Sequence, residues 1–454
     1  MKKRLSVVLI LLLCAFSGCN NGEATIQDIP DVKETGGATD NVNGKITVSP
    51  LLDQVILENA ASRFMRIHPD VKVIVEQGPA FTNNSDADIA IKNYTEKVKT
   101  GIMSGTASDI IQMSIFYEYY NMVDNRLLAN IGQLMENDPD MNTDLYYNNV
   151  LDSLKYKDGL YMFPTTFVYR MVGLNKKFPE LLPEWNAKKQ VSLIDLLNMY
   201  NNMPEGSRGG HFVEPSFSPS IVIYTQIMDY VDFNHKTCDF DNEEFVALIK
   251  DLKAVKDPDV IDGGYYTQDY YSPQEEASVA SNHVFLHIDN SESQFFFDFD
   301  NSNFTAFKPL IDASGKMSMV PSDSYGITAS SNNKELAWEF LKYLISPELK
   351  EGTFLFGMPV RKDTFEVVEG NTLSQAFNQA LRDGYVKEGE RGDITNSAIN
   401  EIRKSNELPM SFSRPGYEIL SILEEEFDLY LKDLTSAEQT ASSIQNKVYL
   451  YLNQ

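Results

Sequence analysis

Residues 46–75 read ITVSPLLDQVILENAASRFMRIHPDVKVIV, and this stretch decides the fold class. Ile46-Thr47-Val48 is a short strand signal. Leu57, Ala60, Ala61, Phe64 and Met65 then recur at i, i+3, i+4, i+7 and i+8, which lays one apolar stripe along a helix. His68-Pro69-Asp70 ends it, because proline crowds the preceding residue out of the α region. Val71, Val73 and Val75 alternate as a strand. A further helix over Tyr94 to Met103 stops at Ser104-Gly105, and Asp109-Ile110-Ile111 opens the next strand. Strand, helix, strand, helix, strand predicts an α/β fold built on a parallel sheet with crossover helices.

Farther along, Asn332 and Glu335 have capping-box spacing, and Ala337, Phe340, Leu341 and Leu344 form the stripe of the helix they open. Ser346-Pro347-Glu348 restarts a helix with proline at its first position. Thr435 and Glu438 suggest a second box, followed by Ala441, Ile444, Val448 and Tyr451 at helical spacing, so the last segment docks as a helix. Ile221-Val222-Ile223 reads as a strand.

At the other end, Lys2, Lys3 and Arg4 precede an apolar run from Val7 to Leu13. That run is too short to span a bilayer, which takes about 20 residues. Basic, apolar and small-residue regions in this order make a secretory leader, 1–18. Phe16-Ser17-Gly18-Cys19 resembles a bacterial lipobox, with Phe16 where Leu is usual, and implies a diacylglyceryl thioether on Cys19 and often N-acylation (palmitate). Two or more acyl chains anchor stably where one does not. Residues 19–44, rich in Asn, Asp, Gly, Thr and Glu, read as a flexible tether. With Cys14 removed and Cys19 lipidated, Cys238 stands alone and no intramolecular disulfide is expected.

The chain has 454 residues, 43% of them hydrophobic, enough to build a buried core. Its net charge of −26 repels phosphate backbones and anionic lipid surfaces, which argues against nucleic-acid binding.

Four segments carry a family resemblance. They are Ile46 to Val73; Tyr94 through Ser104-Gly105-Thr106-Ala107-Ser108-Asp109-Ile110-Ile111; Gly159-Leu160-Tyr161-Met162-Phe163-Pro164 leading to Gly173-Leu174-Asn175-Lys176; and Ser324-Tyr325-Gly326-Ile327 through Trp338, Ser346-Pro347-Glu348 and Met358-Pro359-Val360-Arg361. In order and spacing they resemble the family 1 extracellular solute-binding proteins of ABC importers, the group that contains maltose-binding protein. Ser108 replaces the family's usual proline and Leu174 its usual tyrosine. The resemblance implies a type II periplasmic-binding-protein-like fold: two discontinuous lobes, hinge crossovers and a ligand cleft between them. The crossovers are expected near Pro164–Met171, before Tyr325 and near Gly357-Met358-Pro359. Lobe one is then 45–168 plus 325–356, and lobe two 169–324 plus 357–454.

The implied function is a non-enzymatic receptor that captures a carbohydrate, an oligosaccharide by preference, and delivers it to ABC permease transmembrane subunits. It would be a monomer held at the membrane by its lipid, with no cofactor and no metal. A sensory lipoprotein presenting ligand to a membrane kinase is the alternative, and a secreted carbohydrate-active enzyme ranks below both. Sugar sites pair aromatic platforms with hydrogen-bonding side chains. Carried over by position, the candidates are Asp53, Gln112, Ser114, Tyr117, Phe167, Tyr169, Phe217, Asp289, Asn290, Phe412, Arg414 and Tyr417. Trp185 and Trp338 read as core, and Asp109 as a structural acid. The aromatic cluster Tyr265-Tyr266 to Tyr270-Tyr271 is a further platform candidate. His283 and His287 invite a metal reading, but Val284, Phe285, Leu286 and Ile288 make the segment a buried strand. Asp298 and Asp300 lack the glycine and distal acid of an EF-hand loop, and Glu424-Glu425-Glu426 reads as a solvated helix face.

Overall fold

Strands β1 (Gly44–Ser49), β2 (Val71–Val75) and β3 (Ile110–Gln112) lie parallel in the order β2-β1-β3. The computed structural model describes residues 44–51, 54–79, 84–113, 118–204, 211–213, 219–255, 283–289, 305, 307–350, 357–366, 402–413 and 416–454. Helix Gln54–Ile67 crosses from β1 to β2 and buries Leu57, Ala60, Ala61 and Phe64, the expected stripe. Helix Asn84–Ser104 returns to β3. It starts well before the expected Tyr94; its buried face, Ile91, Thr95, Val98 and Ile102, includes a threonine amid polar residues, which hides the helical period in the sequence.

Two long strands continue the sheet. β4 (Phe163–Leu174) is buried along its whole length, and β11 (Met317–Ile327) runs antiparallel to its first half, from Val320↔Val168 to Tyr325↔Phe163. The far end of β11 (Tyr325–Ile327) pairs with β3. The second half of β4 instead pairs with β9 (His283–Asp289) and β10 (Lys308–Ile311). β5 (Val191–Ser192) adds to β10, β6 (His211–Val213) to β9, and β13 (Met410–Phe412) to the first residues of β11. β12 (Met358–Pro359) pairs with Thr166 and Phe167 of β4. β7 (Val231–Asp232) and β8 (Thr237–Cys238) form a separate hairpin. β4 has strands on both sides and is buried throughout, yet it carries Thr165, Thr166 and Arg170 among its apolar residues.

Several local expectations shift. Pro219–Thr225 is a helix rather than a strand, with proline at its first position and Val222 and Ile223 buried. Helix Lys334–Leu344 begins after Asn333, whose amide donates to the Lys45 carbonyl (3.0 Å) instead of capping. The C-terminal helix Ala437–Leu452 is capped by a Ser436–Gln439 box, one residue later than Thr435–Glu438, while the Thr435 hydroxyl pairs with that of Thr440. Glu426 is buried and paired with Lys447 (2.7 Å), because the helical turn carries it to the inward face beside Leu423. Trp338 and Trp185 are core residues, and Asp109 accepts from the Thr47 amide and hydroxyl and the Ser331 hydroxyl.

Candidate functional site

In a sheet ordered β2-β1-β3 the parallel strands β1 and β3 send their following connections to opposite sides, and the general rule for such sheets places a crevice between their C-terminal ends. β1 ends at Ser49 and β3 at Gln112. The Gln112 side chain is 5% exposed and spans this point: Oε1 accepts the Leu51 amide (2.7 Å), and Nε2 donates to Asp323 Oδ1 on β11 (3.0 Å). Gln112 thereby fixes where the loop carrying Asp53 departs.

Asp323 sits where three strands meet. Thr165 of β4 donates to its Oδ2 (2.5 Å), and Ser322 donates to the Thr166 hydroxyl (2.9 Å). The β11–β4 register slips between Pro321 and Asp323 and again before Ser324. Such bulges bend a strand, and proline is tolerated there because it cannot donate to a ladder. β12 packs over the same point through Gly357. That residue has φ +91°, and a Cβ on it would lie 2.9 Å from the Phe167 carbonyl oxygen and closer still to the Ser322 hydroxyl.

Beyond β3, the short helix Tyr119–Asp124 presents a second cluster. Tyr120 stacks on Phe233 (centroids 3.9 Å apart, planes 17°) and meets Tyr156 edge-on (4.6 Å). Tyr156 donates to Asp124 (3.0 Å) and to the Phe233 carbonyl (3.2 Å). Asp124 also pairs with Lys157 and with Lys236 (3.2 Å). Partial burial works against the Asp124 carboxylate, but the two lysines and the Tyr156 hydroxyl outweigh it and hold the group below the usual range.

The remaining candidates fall as follows. Phe167 is fully buried, its ring near Tyr147 (5.9 Å) and Tyr169 (6.2 Å). Tyr169 is buried with its hydroxyl toward the Ile402 carbonyl (3.4 Å). Phe412, also buried, meets Tyr119 edge-on (5.9 Å). Tyr417 opens helix Tyr417–Leu431, and its amide donates to Glu118 Oε1 (3.1 Å). Asp289 ends β9 directly opposite Arg170, a buried arginine that is the one charge in β4. Residues Asp53, Ser114, Tyr117, Phe217, Asn290 and Arg414 lie outside the described residues, as do Cys19, the cluster 265–271, Asp298 and Asp300; so do the side chains of Asp289, His283 and His287. Among the described residues no three His, Cys, Asp or Glu are grouped to hold a metal, and no helix is long and apolar enough to cross a membrane.

Sequence reasoning did not single out Asp323, Thr165, Glu118, Tyr120 or Arg170. Arg170 and Asp323 each had a signal, a charge inside an otherwise apolar or hydroxyl-rich strand. A pocket of about 250 Å³ also lies under helix Asn84–Ser104, between Ser49, Tyr94, Gly101 and Ser108, and contains none of the candidates.

Residues 68–366 match the family of bacterial extracellular solute-binding proteins, and the chain belongs to that family. Its fold is that of type II periplasmic-binding-protein-like sugar-binding proteins. The sugar-binding protein MalE from Xanthomonas citri matches with a TM-score of 0.61 at 14% identity, over 90% of this chain and 98% of that one. A periplasmic oligogalacturonide-binding protein from Yersinia enterocolitica gives 0.56 at 15%, over 90% and 99%. An ABC substrate-binding protein from Listeria monocytogenes, solved with cycloalternan, gives 0.53 at 13%, over 91% and 100%. No curated protein sequence matches the chain. At these identities the structures speak for the fold, and the family establishes an extracytoplasmic solute-binding role.

Proposed function

We propose that the chain is the substrate-binding lipoprotein of an ABC importer, capturing a carbohydrate, by preference an oligosaccharide, between two lobes and handing it to membrane permease subunits without altering it. The observation that carries this reading is the pair of continuous strands β4 and β11. Each pairs with one set of strands at one end and another set at the other, meeting at a bulged crossing beside Gln112. The lobes are 45–168 with 325–356, and 169–324 with 357–454. Bending at Thr165–Phe167, Pro321–Ser324 and Gly357–Pro359 brings them together, and a ligand touching both favours the closed state.

The binding surface on this reading comprises the ends of β1 and β3 (Asp53, Gln112, Ser114, Tyr117), the crossing (Phe167, Tyr169), and lobe two (Phe217, Asp289, Asn290, Phe412, Arg414, Tyr417). Gln112, Phe167, Tyr169 and Phe412 are buried, so on this reading they support the surface from beneath and the sugar is held by the other residues. Lipid on Cys19 holds the receptor at the membrane. The test is a thermal-shift and calorimetric screen of the purified chain against neutral and acidic oligosaccharides, amino acids, polyamines and divalent metals. At about 100 times Kd a ligand adds about 2.7 kcal/mol to stability. Binding confined to amino acids or metals refutes the carbohydrate assignment.

A further inference from the structure

The segment after β3 reaches across to helices that follow β13. The Glu118 carboxylate, largely buried, accepts the Tyr417 amide (3.1 Å) and the Glu418 amide (3.3 Å) through Oε1, and the Tyr451 hydroxyl through Oε2. Only a glycine admits this approach: a Cβ on Gly416 would fall on Glu118 Oε2. Gly416 is itself held by Tyr224, which accepts its amide (3.2 Å) and donates to its carbonyl. One helical turn further on, Tyr120 and Asp124 stand four residues apart and so share a helix face. The first stacks on Phe233 and the second pairs with Lys236. Within the same helix Tyr119, Met122 and Val123 are buried.

Three contacts of different kinds therefore line up along residues 118–124: a charge-assisted cap, an aromatic stack and an ion pair. Each joins two protein groups, and all the partners fall in lobe two as divided above. We propose that this turn is a latch between the lobes, and that Glu118 is the positioning residue that holds the closed arrangement before any ligand arrives. The proposal rests on the two-lobed reading above and adds a ligand-independent contact to it. Its consequence is that closure is already partly populated in the empty receptor, so a ligand binds with less reorganisation.

Hydrogen–deuterium exchange of the full chain without ligand tests the latch. Glu118→Ala removes the acceptor, whereas Glu118→Gln keeps an oxygen for the two amides and an amide for the Tyr451 hydroxyl. The latch predicts that Glu118→Ala speeds exchange at least about tenfold at 416–420 and, in parallel, at 228–236, where Glu118 makes no bond. β1 and β9 stay unchanged, and Glu118→Gln matches wild type. A rise confined to 416–420 makes Glu118 a local helix cap and overturns the proposal, as does no change anywhere. Should Glu118→Ala loosen the whole chain, Tyr451→Phe decides: the same two-site pattern supports the latch, and its absence refutes it. No saccharide enters this experiment, so its failure is distinct from failure of the receptor reading, which the ligand screen reports.

Discussion

Replacing Asp323 with alanine removes the acceptor that holds the strand crossing together. Gln112, a residue 5% exposed, loses the bond its Nε2 donates to Asp323 Oδ1 (3.0 Å). Loss of a hydrogen bond to a charged acceptor costs about 1.5 kcal/mol. Thr165 loses its bond to Oδ2 but keeps the Asp323 backbone carbonyl as an alternative acceptor at 3.3 Å, so its share is smaller, about 0.5 kcal/mol. The sum predicts a loss of about 2 kcal/mol for Asp323→Ala. Asparagine can still accept from Gln112 through Oδ1 and donate to the Thr165 hydroxyl through Nδ2, so Asp323→Asn should cost less than about 1 kcal/mol. Urea unfolding followed by both fluorescence and circular dichroism measures the two losses. A double-mutant cycle with Gln112→Ala should return a coupling of about 1 kcal/mol. Equal losses for Ala and Asn would show that charge rather than bond geometry matters at this point. A loss under about 0.5 kcal/mol for Ala would refute the crossing network altogether.

Gly357→Ala should destabilise the chain by about 2–4 kcal/mol in urea, since φ +91° disfavours any Cβ and the new methyl meets the Phe167 carbonyl; adding Ser322→Ala should recover part of it. Burial, reinforced by Asp312 and only partly offset by the Ala313 amide, raises the Asp229 carboxyl to about 6 from an ordinary 3.8. The folded state therefore binds that proton more tightly, and its stabilising effect is lost as pH rises through 6; allowing for solvent screening, Asp229→Asn should gain about 1 kcal/mol at pH 7.5 and almost nothing near pH 4, read from urea midpoints. Trp338→Phe deletes the indole bond to Asp138 (2.8 Å) while keeping a ring against Phe163, and should cost about 1.5–2 kcal/mol in the same assay.

Where apolar spacing was regular, the sequence was legible down to single residues. The stripe Leu57, Ala60, Ala61 and Phe64 is buried as its period demands, and the alternating valines of β2 pair with β1. Caps were less readable, since Asn332-Asn333 and Thr435-Ser436 each offer two adjacent capping residues; the contact of Asn333 with the Lys45 carbonyl and that of Thr435 with Thr440 decide their roles. The helix Pro219–Thr225 defeated propensity because Val222 and Ile223 pack against neighbours that one sequence cannot reveal. The site was legible only as a region. Gln112 stands at a strand end that periodicity locates, but its partners Asp323 and Leu51 lie 211 and 61 residues away. Glu118 likewise meets Tyr451 across 333 residues, a juxtaposition set by the fold and by no local pattern.

Isothermal titration calorimetry of the purified chain with neutral oligosaccharides tests the central claim most directly. The account predicts saturable binding of one saccharide per chain, at least about tenfold weaker in a Gln112→Ala variant that stays folded, with the saccharide recovered intact. A chain that binds no saccharide, or that returns it cleaved, contradicts the account.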